Sequence, residues 1–209
     1  MIVIGITGGI GTGKTTASNY LVSQGFARID ADQIGRDLTA EGQPLLEKIR
    51  DEFGCVDQDG TAGNRLVLDR RAMAELIFSD REIKERYDRL VHGEIIGVID
   101  RRIAELRGTG ARGILLDAPL LFEAGINDRC DVVILVTADL DMRIDRVRQR
   151  DDADEEDVRD RISSQMTDEE KAAYADFIID NSGEPEDMYA QLDDILDYLF
   201  GFELGVDKE

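Results

Sequence analysis

Eight residues near the amino end, Gly8-Gly9-Ile10-Gly11-Thr12-Gly13-Lys14-Thr15, match the spacing G-x-x-x-x-G-K-[ST] and constrain the fold more than any other segment. Glycines at these positions let successive backbone N–H groups turn inward and form an anion-binding nest. A helix starting at Lys14 would aim its positive end at the same point. The pattern has meaning only between a strand and a helix, and both are legible. Ile2-Val3-Ile4-Gly5-Ile6-Thr7 is a short β-branched run, and Ala17, Tyr20 and Leu21 share one face of a helical stretch from Lys14 to about Gln24. The loop predicts nucleotide binding through Gly9, Ile10, Gly11, Thr12, Gly13, Lys14, Thr15 and Thr16, with Lys14 on the β- and γ-phosphates and the Thr15 hydroxyl on Mg²⁺. A hydride-transfer loop is excluded here, since G-x-G-x-x-G is absent.

Further apolar runs of strand length are Phe26–Asp30, Gly113–Asp117, Asp131–Val136 and Phe177–Ile179. Helical stretches separate them, which predicts a parallel sheet of about five strands with helices on both faces, the α/β P-loop NTPase fold. At 209 residues the chain is long enough for one such domain over 1–209. A helix-rich insertion runs from about residue 33 to 106, broken by loop signals at Glu41-Gly42 and Asp57-Gln58-Asp59-Gly60. Helices are expected at Leu140 to Arg150, at two places within Glu155 to Ala173, and from Pro185 to about Phe200, with a frayed tail after about Gly201.

The charge narrows the partners. Asp plus Glu is 46 against 25 Lys plus Arg, a formal net of −21. A broad nucleic-acid face is therefore not expected, because phosphate backbones reward basic residues. Residues 151–209 hold 21 acids against 4 bases, while residues 1–150 hold 25 against 21. The surplus reads as a solvated face suited to high salt, or alternatively as a surface for a cationic partner. No basic leader precedes an apolar run at the start, and no stretch of about 18 apolar residues occurs, so a cytoplasmic protein away from membranes is expected. Cys55 and Cys130 match no metal or redox spacing and read as ordinary buried thiols. Oligomeric state stays open.

A phosphate loop specifies a nucleotide but not an acceptor. Transfer to an alcohol needs a carboxylate to orient the hydroxyl and take its proton. Asp32, at the end of the second strand, suits that role, although it could equally cap the following helix. Asp117, ending the third strand, is a candidate for holding Mg²⁺ directly or through water. Arg143, Arg146 and Arg150 share a helical face, where guanidinium forks could bind polyphosphate; pairing with Asp139, Asp145 and the acids after Asp151 is the alternative. His92-Gly93-Glu94 lacks the P-C-x-x-C of zinc deaminases. Asp57 to Gly60 fits a GTPase-like D-x-x-G, but no Asn precedes a Lys, so the guanine-reading element is missing.

Taken in order, these segments resemble the dephospho-CoA kinase family over about residues 1–200. Ile6 to Thr16 is similar to its phosphate loop, and Ile29-Asp30-Ala31-Asp32-Gln33-Ile34 to its alanine-aspartate signature. Leu116 to Glu123 looks like its acceptor-side element, and Arg143 to Asp151 with Ser164-Gln165 like its lid. Ala175 to Gly183, with Asn181, resembles its closing strand and the loop near adenine. The chain departs from the pattern at His92-Gly93, where the family commonly has His-Pro in a turn, and in carrying extra residues at 62–69. The resemblance implies ATP-dependent phosphorylation of the ribose 3′-hydroxyl of dephospho-CoA. It further implies Asp32 as catalytic base, a helical acceptor-binding subdomain at about 33–106, and a lid at about 143–170 whose arginines close over the phosphates. A related small-molecule kinase, or a non-catalytic nucleotide-binding module, is the alternative. An enzyme with a salt-adapted surface should gain activity and melting temperature between low and molar KCl, and a maximum at low salt would overturn that reading.

Overall fold

The run ahead of the glycines is a strand, β1 (Val3–Thr7), with every residue buried. Burial on both faces explains why it is apolar without alternation. The chain continues through α1 (Lys14–Ser23), β2 (Phe26–Asp30), α2 (Ala31–Leu38) and α3 (Leu45–Phe53). Next come β3 (Val56–Asp59), β4 (Arg65–Leu68), α4 (Arg70–Ser79), α5 (Arg81–Leu106) and β5 (Gly113–Asp117). The last elements are β6 (Val132–Thr137), α6 (Leu140–Asp151), α7 (Glu155–Ser163), α8 (Asp168–Ala172), β7 (Phe177–Asp180) and α9 (Pro185–Phe200). This computed structural model describes residues 1–59 and 65–201. It divides into two units, one formed by Met1–Ile29 with the chain from Leu106 onward, the other by Asp30–Glu105.

The first unit is built on the expected five-stranded sheet, in the order β2-β5-β1-β6-β7. β1 lies parallel to β5 and β6, with Ile6 opposite Asp117 and Thr7 opposite Leu135. β7 lies parallel to β6, with Thr137 opposite Asp180. These registers bring the carboxyl ends of four strands to one edge, where sites in parallel sheets open. α1 and α9 cover one face. Ala17 and Leu21 from α1, and Met188, Leu192, Ile195 and Leu196 from α9, pack on Ile4, Ile6, Leu115, Ile134, Val136 and Ile179. The Tyr20 and Tyr189 rings stack at 4.6 Å between the two helices. No helix among the described residues is long and apolar enough to cross a membrane.

The second unit differs from the sequence expectation in two places. Asp57 to Gly60 was expected as a loop, yet β3 and β4 form an antiparallel pair with Val56 opposite Leu68. Short strands with a polar side look like loops in a sequence, and here only a few residues enter the core. Val56 and Leu68 join Leu45, Leu46, Ile49, Cys55 and Met73 in one cluster. Of the extra segment at 62–69, residues 65–68 are β4 and Asp69 caps α4, accepting from the N–H groups of Arg71 and Ala72; residues 60–64 lie outside the described residues. The second difference is at His92-Gly93, which sits inside the continuous helix α5 rather than at a turn. Gly93 retains the backbone N–H that a proline would lack, so the helix runs through.

The α9 contact is the test of the first unit's core. Leu192→Ala should cost about 2–5 kcal/mol, because it leaves a fully buried cavity against the sheet. Thermal unfolding of the variant should show a melting temperature lower by roughly 5–15 °C.

Candidate functional site

The phosphate loop follows β1 directly and ends where α1 begins. Gly11 and Gly13 carry φ of +82° and +89°, values that L side chains adopt at a steric cost. Space forbids a Cβ there as well. A Cβ on Gly11 would lie 2.6 Å from the Arg143 carbonyl oxygen, and one on Gly13 would run into the Asn181 side-chain amide.

The loop's carbonyls face its rear, and each of four consecutive ones has a donor. The Gly9 oxygen accepts from the Thr12 N–H at 3.3 Å and from Thr12 Oγ1 at 2.9 Å. Ile10 accepts from Arg143 Nε at 2.9 Å, Gly11 from Arg146 Nη1 at 3.4 Å, and Thr12 from Asn181 Nδ2 at 2.7 Å. Arg146 Nη2 also donates to the Asn181 carbonyl at 3.0 Å, tying the two braces together. The Ile10 N–H donates to Gln165 Oε1 at 3.1 Å. A buried carbonyl without a donor would cost about 1–3 kcal/mol, so these contacts specify the loop's shape.

Arg143 is itself buried and pairs with Asp168 at 3.1 Å. Burial pushes the Asp168 carboxyl above the usual range, while the Arg143 guanidinium and the Lys171 ammonium pull it back. Two of the three arginines expected over the phosphates are thus turned to the back of the loop, where donors were needed. Arg143 follows the alternative of pairing with the acids after Asp151, since its carboxylate partner is Asp168. Arg150 is exposed and bonds Asp151 through Nε and Nη2, at 2.7 and 3.0 Å. This bond is the first cause of a lowered Asp151 pKa. Asn181, expected beside adenine, is buried with its amide on the loop backbone.

Asp117 ends β5 at 1% exposure, with Lys14 on one carboxylate oxygen and Arg28 2.6 Å from the other. Thr15 and Thr16 are exposed in the first turn of α1. Asp117 and Thr15 offer hard oxygen donors, and no group of three or more His, Cys, Asp or Glu that could hold a metal occurs among the described residues. That donor set fits Mg²⁺, which takes one or two protein oxygens and completes its shell with phosphate and water.

In the second unit, the capping role resolves onto Asp30, whose side chain accepts from the Gln33 N–H at 2.8 Å. Asp32 lies two residues further on, exposed in the first turn of α2. Capping therefore does not account for Asp32. Of the two thiols expected to be buried, Cys55 is and Cys130 is half-buried. Burial raises Cys55 and pushes Cys130 up to about 12, so neither forms a reactive thiolate near neutrality.

A model of the dephospho-CoA kinase family matches residues 2–187. The chain belongs to that family. Its curated relatives include the dephospho-CoA kinase of Corynebacterium glutamicum, 37% identical over 91% of this chain and 94% of the relative. That of Aromatoleum aromaticum is 41% identical over 91% and 90%. Among solved structures, TT1252 from Thermus thermophilus superposes with a TM-score of 0.76 at 34% identity, covering 95% of this chain and 97% of that one. The dephospho-CoA kinase from Campylobacter jejuni gives 0.67 at 27% identity, covering 95% and 98%. Shikimate kinase from Acinetobacter baumannii shares the fold at 0.51 and 16% identity. Family membership makes the chain a kinase and a nucleotide-binding transferase.

Three residues escaped the sequence reading. Arg28 sits in a strand that reads as apolar, and nothing near it in sequence marks Asp117 as its partner. Asp168 and Lys171 lie in an acid-rich stretch that reads as a solvated face, yet Lys171 is fully buried. Breaking the Arg143–Asp168 pair tests the brace. Arg143→Met should destabilise by about 2–3 kcal/mol in chemical denaturation, because the half-buried Asp168 loses its guanidinium partner and the Ile10 carbonyl its donor. Adding Asp168→Asn should restore part of the loss.

Proposed function

We propose that this kinase transfers the γ-phosphoryl group of ATP to the ribose 3′-hydroxyl of dephospho-CoA, giving coenzyme A and ADP. The observation that carries the chemistry is the phosphate loop, braced through four consecutive carbonyls, with Lys14 held on the buried carboxylate at the end of β5. The activities of the relatives supply the acceptor.

In this reading the loop N–H groups and Lys14 hold the β- and γ-phosphates, and Lys14 has three donors, so phosphate and Asp117 can share it. Thr15 and Asp117 would hold Mg²⁺, which neutralises charge on the phosphate oxygens when bound. Arg28 pairs with the Asp117 oxygen that Lys14 does not contact, which would help hold the carboxylate in place. Asp32 orients the acceptor hydroxyl and accepts its proton as the new O–P bond forms and the bond to ADP breaks. Arg143, Arg146 and Asn181 keep the nest in shape, and Arg150 belongs to the lid at about 143–170 that would exclude water as a competing acceptor. The helical segment at about 33–106 serves the acceptor.

Incubation with ATP, Mg²⁺ and dephospho-CoA should yield coenzyme A by mass detection, with nucleoside monophosphates and shikimate inert. Silence with dephospho-CoA alone would overturn the choice of acceptor. Asp32→Asn should lower kcat by about 10²- to 10⁴-fold, with nucleotide affinity kept within about threefold. Equal loss of both would count against Asp32 as the base.

A further inference from the structure

Lys171, in the five-residue helix α8, has no solvent-exposed surface. Burying an ammonium is costly unless its partners are well placed. Its Nζ donates to the Pro119 carbonyl at 3.1 Å and pairs with Glu123 Oε1 at 3.2 Å. Both partners belong to the segment that leaves β5 immediately after Asp117. The Pro119 carbonyl also accepts from Thr7 Oγ1 at 3.0 Å, and Thr7 is the last residue of β1 before the phosphate loop. α8 also presents Asp168 to Arg143, whose Nε reaches the Ile10 carbonyl inside the loop. Glu123 Oε1 further accepts from the Met166 N–H at 3.3 Å, just ahead of α8. One buried ammonium thus stands between the segment that extends Asp117 and the loop that carries Lys14.

Stability alone does not call for a charge here. Well-packed apolar side chains in place of a buried ion pair are often neutral or stabilising. What an apolar pair lacks is direction, because only the ammonium can hold one carbonyl and one carboxylate at fixed points. We propose that Lys171 is a positioning residue of the transfer reaction: it fixes the Ala118–Glu123 segment, and through it Asp117, against the phosphate loop. It acts through Pro119 and Glu123 and touches no substrate. The inference rests on the kinase reading above. Nucleotide binding should be largely spared, since Arg146 and Asn181 hold the Gly11 and Thr12 carbonyls without passing through α8, and Arg143 keeps its own bond to Ile10.

Two variants test this beside the unaltered chain, all assayed well below their melting temperatures. Lys171→Met should lower kcat by about 10- to 100-fold, the scale of a misplacement near 1 Å, with nucleotide Kd within about threefold. The double variant Lys171→Met/Glu123→Leu removes both charges, so it should regain stability and remain slow. A stable double variant with unaltered kcat would overturn the role of Lys171 while leaving the kinase reading intact. Equal losses in kcat and nucleotide affinity would also overturn it, since they would make Lys171 a general support of the loop. An unaltered chain that forms no coenzyme A overturns the kinase reading and this inference with it.

Discussion

A nest that points its N–H groups at phosphate must turn its carbonyls the other way, into the protein, and the site depends on satisfying them. Residues 9–12 meet this requirement with one internal hydroxyl and three donors from residues 143, 146 and 181. Those donors come from α6 and from the residue after β7, so the loop's shape depends on the sheet placing β6 beside β1 and β7 beside β6. The glycines are half of the mechanism. They admit the positive φ and the close approach of Arg143 and Asn181, and the long-range donors then fix one shape among those glycine allows.

The same rear surface explains how so acidic a chain can hold polyanions. Lys14, Arg28, Arg143 and Arg146 stand around the loop and Asp117, with Lys171 behind them, and each is wholly or largely withdrawn from water. Charges in that setting are weakly screened, so a few of them outweigh a distant surplus of opposite sign. The exposed pairs Arg71–Glu75, Arg81–Glu85 and Arg159–Glu155 are of another kind. Each contributes only a few tenths of a kcal/mol, and they solubilise helices rather than shape a site.

Much of the frame was legible in the residues. β1, β5 and β6 are apolar runs buried on both faces, a pattern that survives without any knowledge of neighbours, and α9 shows its buried stripe in the spacing of Met188, Leu192, Ile195 and Leu196. The β3–β4 pair was not legible, because β3 has one apolar residue among Asp and Gln and both strands are only four residues long, too short for period two to stand out. The turn at His92-Gly93 is an expectation of the family's His-Pro pattern, and without a proline the helix α5 runs through. The sequence offers capping as one of two roles for Asp32, and the structure gives it to Asp30. The choice depends on which backbone N–H comes within reach, and that is a property of the turn.

The sequence by itself determined the phosphate loop, the strand-loop-helix frame around it and the family, since these are local patterns set by backbone sterics and burial. The tertiary structure decided what the charged side chains do. Spacing put Arg143, Arg146 and Arg150 on one face, yet the fold spends the first two on loop carbonyls and leaves the third at the surface with Asp151. It also buried Lys171 in a stretch that reads as solvated. A long flexible side chain can serve any acceptor within its reach, and only the packed chain says which acceptor lacks water.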